Sequence, residues 1–470
     1  MTAAEGSFLG IAKQSAFKTP VTTDADFTYL LFRQGSIAAN NIILPLDPEV
    51  GGGALNPRAV VKAGVNSGGM LDIVFRPETL GWFLLGMTGS VTSKANHAPE
   101  GVVAYDDTTP ILSSSGTDDV TLSGEVQLFV YANAAATFSD ATPNVVTVTG
   151  KDAAVATVTE TFTLDTTSTG TDQDGIRYWV GDAGVSKKFK VIEEITFTEG
   201  PISGSGGKIA VGFKDGSYSH VFKLGSDHFD APYYTLRYAP GNMWGEQFQD
   251  CRVSALAINF AGARFVDGAL QFVGRTPSRI STTGWDAINH LDVGPQFLAS
   301  TPDCAMELPL GDSAAVLSGS FVASSQIPLD EQFVVGSYEP EGVDIVSRSF
   351  AVQMNIKVTD ADLYAKMQYD AEGGNAWVAN IYKEGNFKLK LASGEEAALV
   401  KKANTYGRKY HIQIAGNGQS NENANVSWTA QPIALRAGRQ IVMQVSGTFH
   451  PAPGFDPISI TLVNRVESYA

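Results

Sequence analysis

The stretch Val253-Ser-Ala-Leu-Ala-Ile-Asn-Phe-Ala-Gly-Ala-Arg-Phe-Val-Asp-Gly-Ala-Leu-Gln-Phe-Val-Gly274 reads as strand, glycine-containing turn, strand. It can be laid over Val426-Ser-Trp-Thr-Ala-Gln-Pro-Ile-Ala-Leu-Arg-Ala-Gly-Arg-Gln-Ile-Val-Met-Gln-Val-Ser-Gly447. The two share Val-Ser at the start, Ala257/Ala430, Ala261/Ala434, Gln271/Gln444 and the final glycine. Each is a hairpin, and the pair suggests an internal repeat.

A second pair lies upstream. Leu71-Asp-Ile-Val-Phe-Arg-Pro-Glu-Thr-Leu80 resembles Met354-Asn-Ile-Lys-Val-Thr-Asp-Ala-Asp-Leu363. In each, a strand runs into a short helix. Pro77 and Glu78 suit a first helical turn, and Thr359 or Asp360 an N-cap. The helices would present Leu80, Phe83 and Leu84, or Leu363 and Met367, on one face. Leu71 and Val253 are 182 positions apart, Met354 and Val426 only 72. The excess of 110 positions is about one small β-sandwich domain.

Such a domain is visible at 106–215, where Thr/Val/Asp alternation takes over. Asn144–Gly150, Thr157–Leu164 and Phe189–Phe197 read as its strands. The expected organisation is therefore a first module over 1–105 and 216–280, an inserted β domain over 106–215, and a second module over 281–470. Phe350–Val358 and Ile441–Gly447 alternate in the same way in the second module. Long segments of period 3.6 are missing, so the fold class is mostly β.

Charge follows this division. The chain of 470 residues has 33 basic and 49 acidic side chains, a net of −16. The insert carries 16 acids and 7 bases, a net of −9, so the acidity sits mostly there. No basic face suited to nucleic-acid backbone is visible. The N-terminus lacks a charged-then-apolar signal layout, and the apolar run Leu80–Met87 is too short to span a bilayer. A soluble protein made in a cytoplasm, with no membrane contact, is expected.

Chemistry is thin. Cys251 and Cys304 sit in no CxxC or Cys/His cluster. The histidines at 97, 220, 228, 290, 411 and 450 are scattered, without HExxH spacing. No GxSxG elbow occurs, and Gly204–Gly207 lacks the Lys-Ser/Thr of a phosphate loop. Asp360 and Asp362 read as helix-start residues, and the six tryptophans as packing residues rather than a sugar platform. No catalytic, metal or cofactor site is expected, and no enzyme.

Further residues carry a resemblance. Phe8-Leu-Gly-Ile-Ala-Lys-Gln-Ser-Ala-Phe-Lys-Thr-Pro20, Gly68–Gly86, Ser318–Asp330 and the ending Pro457–Asn464 resemble the tail tube (major tail) proteins of long-tailed, non-contractile bacteriophages. The insert, with Val146–Gly150 and Thr159–Thr163, is similar to Ig-like modules of phage virions. The resemblance implies duplicated tail-tube β-sandwich/barrel modules, each with a short helix, plus an Ig-like sandwich. It implies a structural virion protein that stacks as rings into the hollow tail tube through which DNA leaves. The chain would be made in the host cytoplasm and reside in the virion.

By the same resemblance, the two hairpins would line the inner barrel, through Val253, Ala257, Phe260, Gln271 and Gly274, and through Val426, Ala430, Ile433, Gln444 and Gly447. Loops 45–69 and 326–349 would stack rings, through Gly52, Asn56, Arg58, Glu339 and Glu341. Arms at 1–25 and 452–470 would lie along neighbours. With two modules per chain, a homotrimer would make a pseudo-sixfold ring. The partners implied are further copies, the tape measure, tail terminator and distal tail proteins, with DNA passing without specific binding. The insert would project outward, and its deletion would leave tubes intact. The alternatives are a phage adhesin or decoration protein binding surface carbohydrate, and a polysaccharide hydrolase or lyase.

Overall fold

The computed structural model describes residues 7–46, 59–97, 103–105, 119–132, 136–138, 144–171, 177–181, 187–198, 209–224, 231–242, 244–281, 297–300, 303–307, 315–358, 382–383, 387–401, 408–416, 426–431, 441–451 and 456–469. The chain begins with β1 (Phe8–Lys13), β2 (Thr28–Leu30), β3 (Gln34–Leu46), β4 (Ala59–Val74) and helix α1 (Pro77–Thr88). There follow β5 (Gly89–His97), β6 (Val103–Tyr105), β7 (Val120–Ala132), β8 (Asn144–Lys151), β9 (Thr157–Leu164), β10 (Gly170–Thr171), β11 (Arg177–Trp179), β12 (Lys188–Thr198) and β13 (Ile209–Leu224). Next come β14 (Tyr234–Ala239), β15 (Gly245–Ala261), β16 (Asp267–Gly274), β17 (Pro277–Ile280), β18 (Ala305–Glu307), β19 (Ala315–Gln326) and β20 (Ser347–Lys357). The last are β21 (Tyr382–Lys383), β22 (Lys388–Glu396), β23 (Lys409–Ala415), β24 (Val426–Ala430), β25 (Val442–Phe449) and β26 (Ser459–Asn464). The strands form two large antiparallel sheets, so the protein is mostly β.

Two compact units divide the chain. The first holds Met1–Val91, Val221–Ser393 and His411–Leu462; the second holds Thr92–His220, Gly394–Tyr410 and Val463–Ala470. The second is thus larger than the stretch 106–215 expected from sequence, and its boundary falls within β13. The reason is local packing. Ala397, Tyr410 and Val463 share one apolar cluster. Val400 packs on the main core of this unit, and the amides of Leu399 and Val400 donate to the Asp215 carbonyl at 2.7 and 3.0 Å. That core is built by alternation: Val146 and Val148 of β8, Phe162 and Leu164 of β9, and Phe189, Ile192 and Ile195 of β12 all point inward.

In the first unit one sheet runs in the order β3-β4-β16-β15-β19-β20-β25-β24, ending on the short β21. Every neighbouring pair of this series is antiparallel. The order repeats. A hairpin whose second strand is β4 is followed by β16 and β15; a hairpin whose second strand is β20 is followed by β25 and β24. The sequence hairpins 253–274 and 426–447 are thus the outer pairs of two four-strand sets. Alternate residues of one face, such as Leu256, Ile258, Phe321, Val352, Met354 and Val445, are buried. Against this face pack aromatic rings: Phe387 lies 5.6 Å from Trp428 and 5.7 Å from Phe449.

Helix α1 starts at Pro77, where the missing amide costs no helical hydrogen bond. It stops at Gly89, in the left-handed region at φ 91°, whose amide donates to the Leu85 carbonyl. Rather than presenting one face, it is buried nearly all round, with Trp82 the only half-buried residue. Tyr234 donates from its hydroxyl to the Trp82 carbonyl at 2.7 Å, tying the helix to β14. The helix expected after Val358 lies outside the described residues.

Three expected loops or arms differ. Residues 45–69 are strand up to Leu46 and again from Ala59. Gly69 reads as loop but is a point of close approach: a Cβ there would sit 2.0 Å from the Ser36 carbonyl oxygen of β3. From Phe8 on, the N-terminal segment is held by its own chain, because β1 pairs with β14 and β2. The C-terminal segment contains β26, and Val463–Ala470 belongs to the second unit.

Candidate assembly interface

The second face of the eight-strand sheet carries the alternate residues that the core does not use. Across it, paired residues form rows. One row is Ala257, Val322, Ala351, Thr448 and Ser427; the next is Asn259, Ser320, Gln353, Ser446 and Thr429. In the first set the corresponding row is Gln34, Asp72, Ala269 and Ala257, followed by Ser36, Met70, Gln271 and Ala255. Hydroxyls, amides and small apolar groups dominate. Ser324 and Ser349 hydroxyls lie 2.7 Å apart, and the Asn355 amide donates to Ser318 at 3.0 Å. A shallow depression on this face is lined by Asn259, Ser320, Gln353, Asn355 and Gln444.

Charge is sparse here. In β16 and β20 the charged side chains of this face are Asp267 and Lys357, and in β4 between Asn66 and Val74 it is Asp72. Asp72 accepts from the Gln34 amide, and Asp267 is paired with Arg33 at 3.1 Å. The sheet therefore offers a wide neutral polar surface with few fixed charges.

Of the inner-barrel residues expected from sequence, Ala257, Gln271 and Gln444 lie on this polar face. Val253, Phe260, Gly274, Val426, Ala430 and Gly447 lie on the opposite face, where Ala430 is paired with Val445. The correction follows from the period of two: a whole hairpin cannot face one way. Ile433 lies outside the described residues, as do Gly52, Asn56 and Arg58. Asn259, Ser320, Gln353 and Ser446 were not singled out by sequence, though Ser318-Gly-Ser320 carries the alternation that marks them.

Glu339 and Glu341, expected to contact another ring, are held within the chain. Glu339 accepts from Arg275 at 2.5 Å and Glu341 pairs with Lys18 at 2.5 Å. The Lys18 ammonium holds the Glu341 carboxyl below its ordinary value. Arg275 also donates from Nε to the Pro340 carbonyl at 3.1 Å and from Nη1 to Asp250 at 3.0 Å. Asp250 in turn accepts from the Lys18 amide at 2.7 Å and the Gln14 side chain at 3.4 Å. This network clamps the N-terminal segment and the 329–346 connection onto β15 and β16.

Burial sets the other titration shifts. Tyr234 and the Cys251 thiol are both pushed up by burial. In the second unit, burial raises the Asp215 carboxyl, opposed by hydrogen bonds from Ser217 and the charge of Arg408. Among the described residues, no three His, Cys, Asp or Glu side chains gather as metal ligands. Neither the family models nor the curated proteins compared with the chain give a match.

Proposed function

We propose that the chain is the ring-building subunit of a hollow tube of the phage tail-tube kind, whose bore is lined by the neutral polar face of the eight-strand sheet. One observation carries the reading: the same four-strand order occurs twice in one sheet, with a polar outer face, the edge strand β3 at one end and the two-residue β21 beyond β24 at the other. A sheet edge is a template for further strands, and closing a ring removes it. A sheet already made of two equivalent sets needs only further copies of itself to continue.

Size favours three chains. Strands about 4.8 Å apart and tilted about 40° give a 24-strand barrel a backbone radius of about 24 Å. Side chains of about 5 Å leave a bore on the order of 35–40 Å, roomy for a double helix. Six chains would double the radius to about 48 Å, far wider than such a cargo needs. A wall with few cations also suits the task, since phosphate backbones are retained chiefly by Lys and Arg.

Electron microscopy of the purified chain tests this, with light scattering on the dispersed form. Rings or tubes with a repeat of three times the 49.8 kDa chain mass are expected. A persistent monomer in all conditions would overturn the reading, and glycan binding would then be the next assay. Rings of six chains would overturn the trimer.

A further inference from the structure

We propose that the depression on the polar face of the eight-strand sheet is a binding site for a saccharide bearing a carboxylate, a short uronic-acid oligomer. The site is complete within one chain and does not rest on the ring reading above.

Its floor is made of carboxamides. Asn259, Ser320 and Gln353 are opposed across β15, β19 and β20, and Ser318, Asn355 and Gln444 across β19, β20 and β25. Opposed residues of such ladders stand about 5 Å apart, so four amide groups share one small area. The Asn355 amide donates to Ser318 at 3.0 Å, which fixes its plane. Asn259, Gln353 and Gln444 are exposed, and their side chains engage none of the described residues. A carboxamide holds its donors and its acceptor side by side. Two neighbouring hydroxyls of a sugar ring, each both donor and acceptor, match that arrangement.

The wall comes from the turn between β15 and β16. Its backbone is pinned: the Arg264 amide donates to the Ala261 carbonyl at 3.3 Å, and the Ser300 amide to the Arg264 carbonyl at 2.9 Å. The turn carries Phe265, whose ring is 55% exposed and lies 5.0 Å from the ring of Phe297. The Arg76 guanidinium stands 4.6 Å from Phe297 in turn, so the exposed ring has a fixed backing. An aromatic face left open beside polar groups is a seat for the C–H face of a pyranose.

Charge narrows the class. The charged side chains of the lining are Arg264 and Asp267. Asp267 is engaged by Arg33 at 3.1 Å, whereas Arg264 has no acidic partner among the described residues. One uncompensated guanidinium fork suits one carboxylate. The depression holds about 300 Å³, the small end of the range for ligand sites, which fits a short oligomer and not a macromolecular surface. Its lining offers an apolar ligand little area to cover, while a ligand dense in hydroxyls meets a ready set of donors and acceptors.

Isothermal titration calorimetry of the dispersed chain tests the site. The probes are tetragalacturonate and tetramannuronate, with their carboxyl-reduced, neutral forms as controls. Saturable binding of at least one acidic tetramer is expected, about fivefold tighter than that of its reduced form. Arg264→Gln should erase this preference and leave the weaker binding. Gln353→Ala with Asn355→Ala should remove binding of both forms; these side chains are exposed, so circular dichroism and melting temperature should stay those of the parent. No saturable binding of either acidic tetramer up to about 10 mM would overturn the proposal. Undiminished binding by the double variant would place the ligand elsewhere and overturn it as well. Equal affinity for acidic and reduced forms would overturn the carboxylate.

Discussion

Arg275 and Asp250 form an ion pair of 3.0 Å in which the carboxylate is fully buried and its residue stands at φ 54°. The pair joins β15 to the segment after β16, and through Lys18 and Glu339 to two distant parts of the chain. Removing one partner of a buried pair leaves the other uncompensated, which costs about 3–5 kcal/mol. Arg275→Met is expected to destabilise the first unit by about that much in urea unfolding. Arg275→Lys keeps the charge but loses the fork that reaches Asp250, Pro340 and Glu339 together, so a large part of the loss should remain. A change under about 0.5 kcal/mol in Arg275→Met would show the network to be dispensable.

Gly86 of α1 faces β15 and β14 with no room for a side chain. A Cβ there would lie 2.6 Å from Val253 and 3.1 Å from Tyr234. Gly86→Ala gains helix propensity of about 1 kcal/mol but must push the helix off the sheet. Overpacking of this kind costs about 1–3 kcal/mol, so net destabilisation is expected. A raised melting temperature would mean that the helix can shift freely.

His220 is expected to make the second unit sensitive to acid. Its Nε2 meets the Asn464 amide oxygen at 2.9 Å and its Nδ1 meets the Ser93 hydroxyl at 2.8 Å. Its ring stands edge-on to Tyr469. Burial is the main influence and holds its protonation below the ordinary histidine value, against hydrogen bonds from Asn464 and Val466. The neutral ring is thus favoured in the folded state. Its contribution is full above about pH 6.5 and is lost as pH falls through the lower folded value. The unfolding midpoint of this unit should drop between pH 7.5 and pH 5. His220→Gln should flatten that dependence; an equal drop in the variant would assign it elsewhere.

Positive charge on the polar face should create an affinity for duplex DNA. Ser320 and Gln353 are opposed on β19 and β20. Ser320→Lys with Gln353→Lys is expected to leave assembly intact and to make tubes retain duplex DNA, with binding that weakens steeply as salt rises. Equal retention by parent and variant would argue against this face as the wall of the bore.

Much of the strand content was legible because it rests on alternation. Thr157–Leu164 coincides with β9, and Asn144–Gly150 lies within β8. Pro77 and Glu78 marked the start of α1. The 253–274 hairpin was legible from its own residues. What was not legible depends on approach from elsewhere in the chain. The glycines of β4 suggested a loop because sequence shows their freedom and hides the β3 carbonyl packed against them. Residues 394–410 and 463–470 join the second unit through apolar contacts made far from it in sequence. Glu339 and Glu341 looked like surface acids, since nothing nearby in sequence announces Arg275 or Lys18. As for the polar face, its residues could be named only once the register was fixed.

From β3 to β24 the direction of the sheet reverses at every step, so these first and eighth members run in opposite senses. The two residues of β21 add a ninth rung over Ser427 and Trp428, and that rung runs in the same sense as β3. The polarity of anything laid on this end of the sheet therefore depends on where it lands. A strand in the sense of β3 would be antiparallel if it met β24 directly and parallel if it met β21, so two residues decide which kind of seam the end can accept.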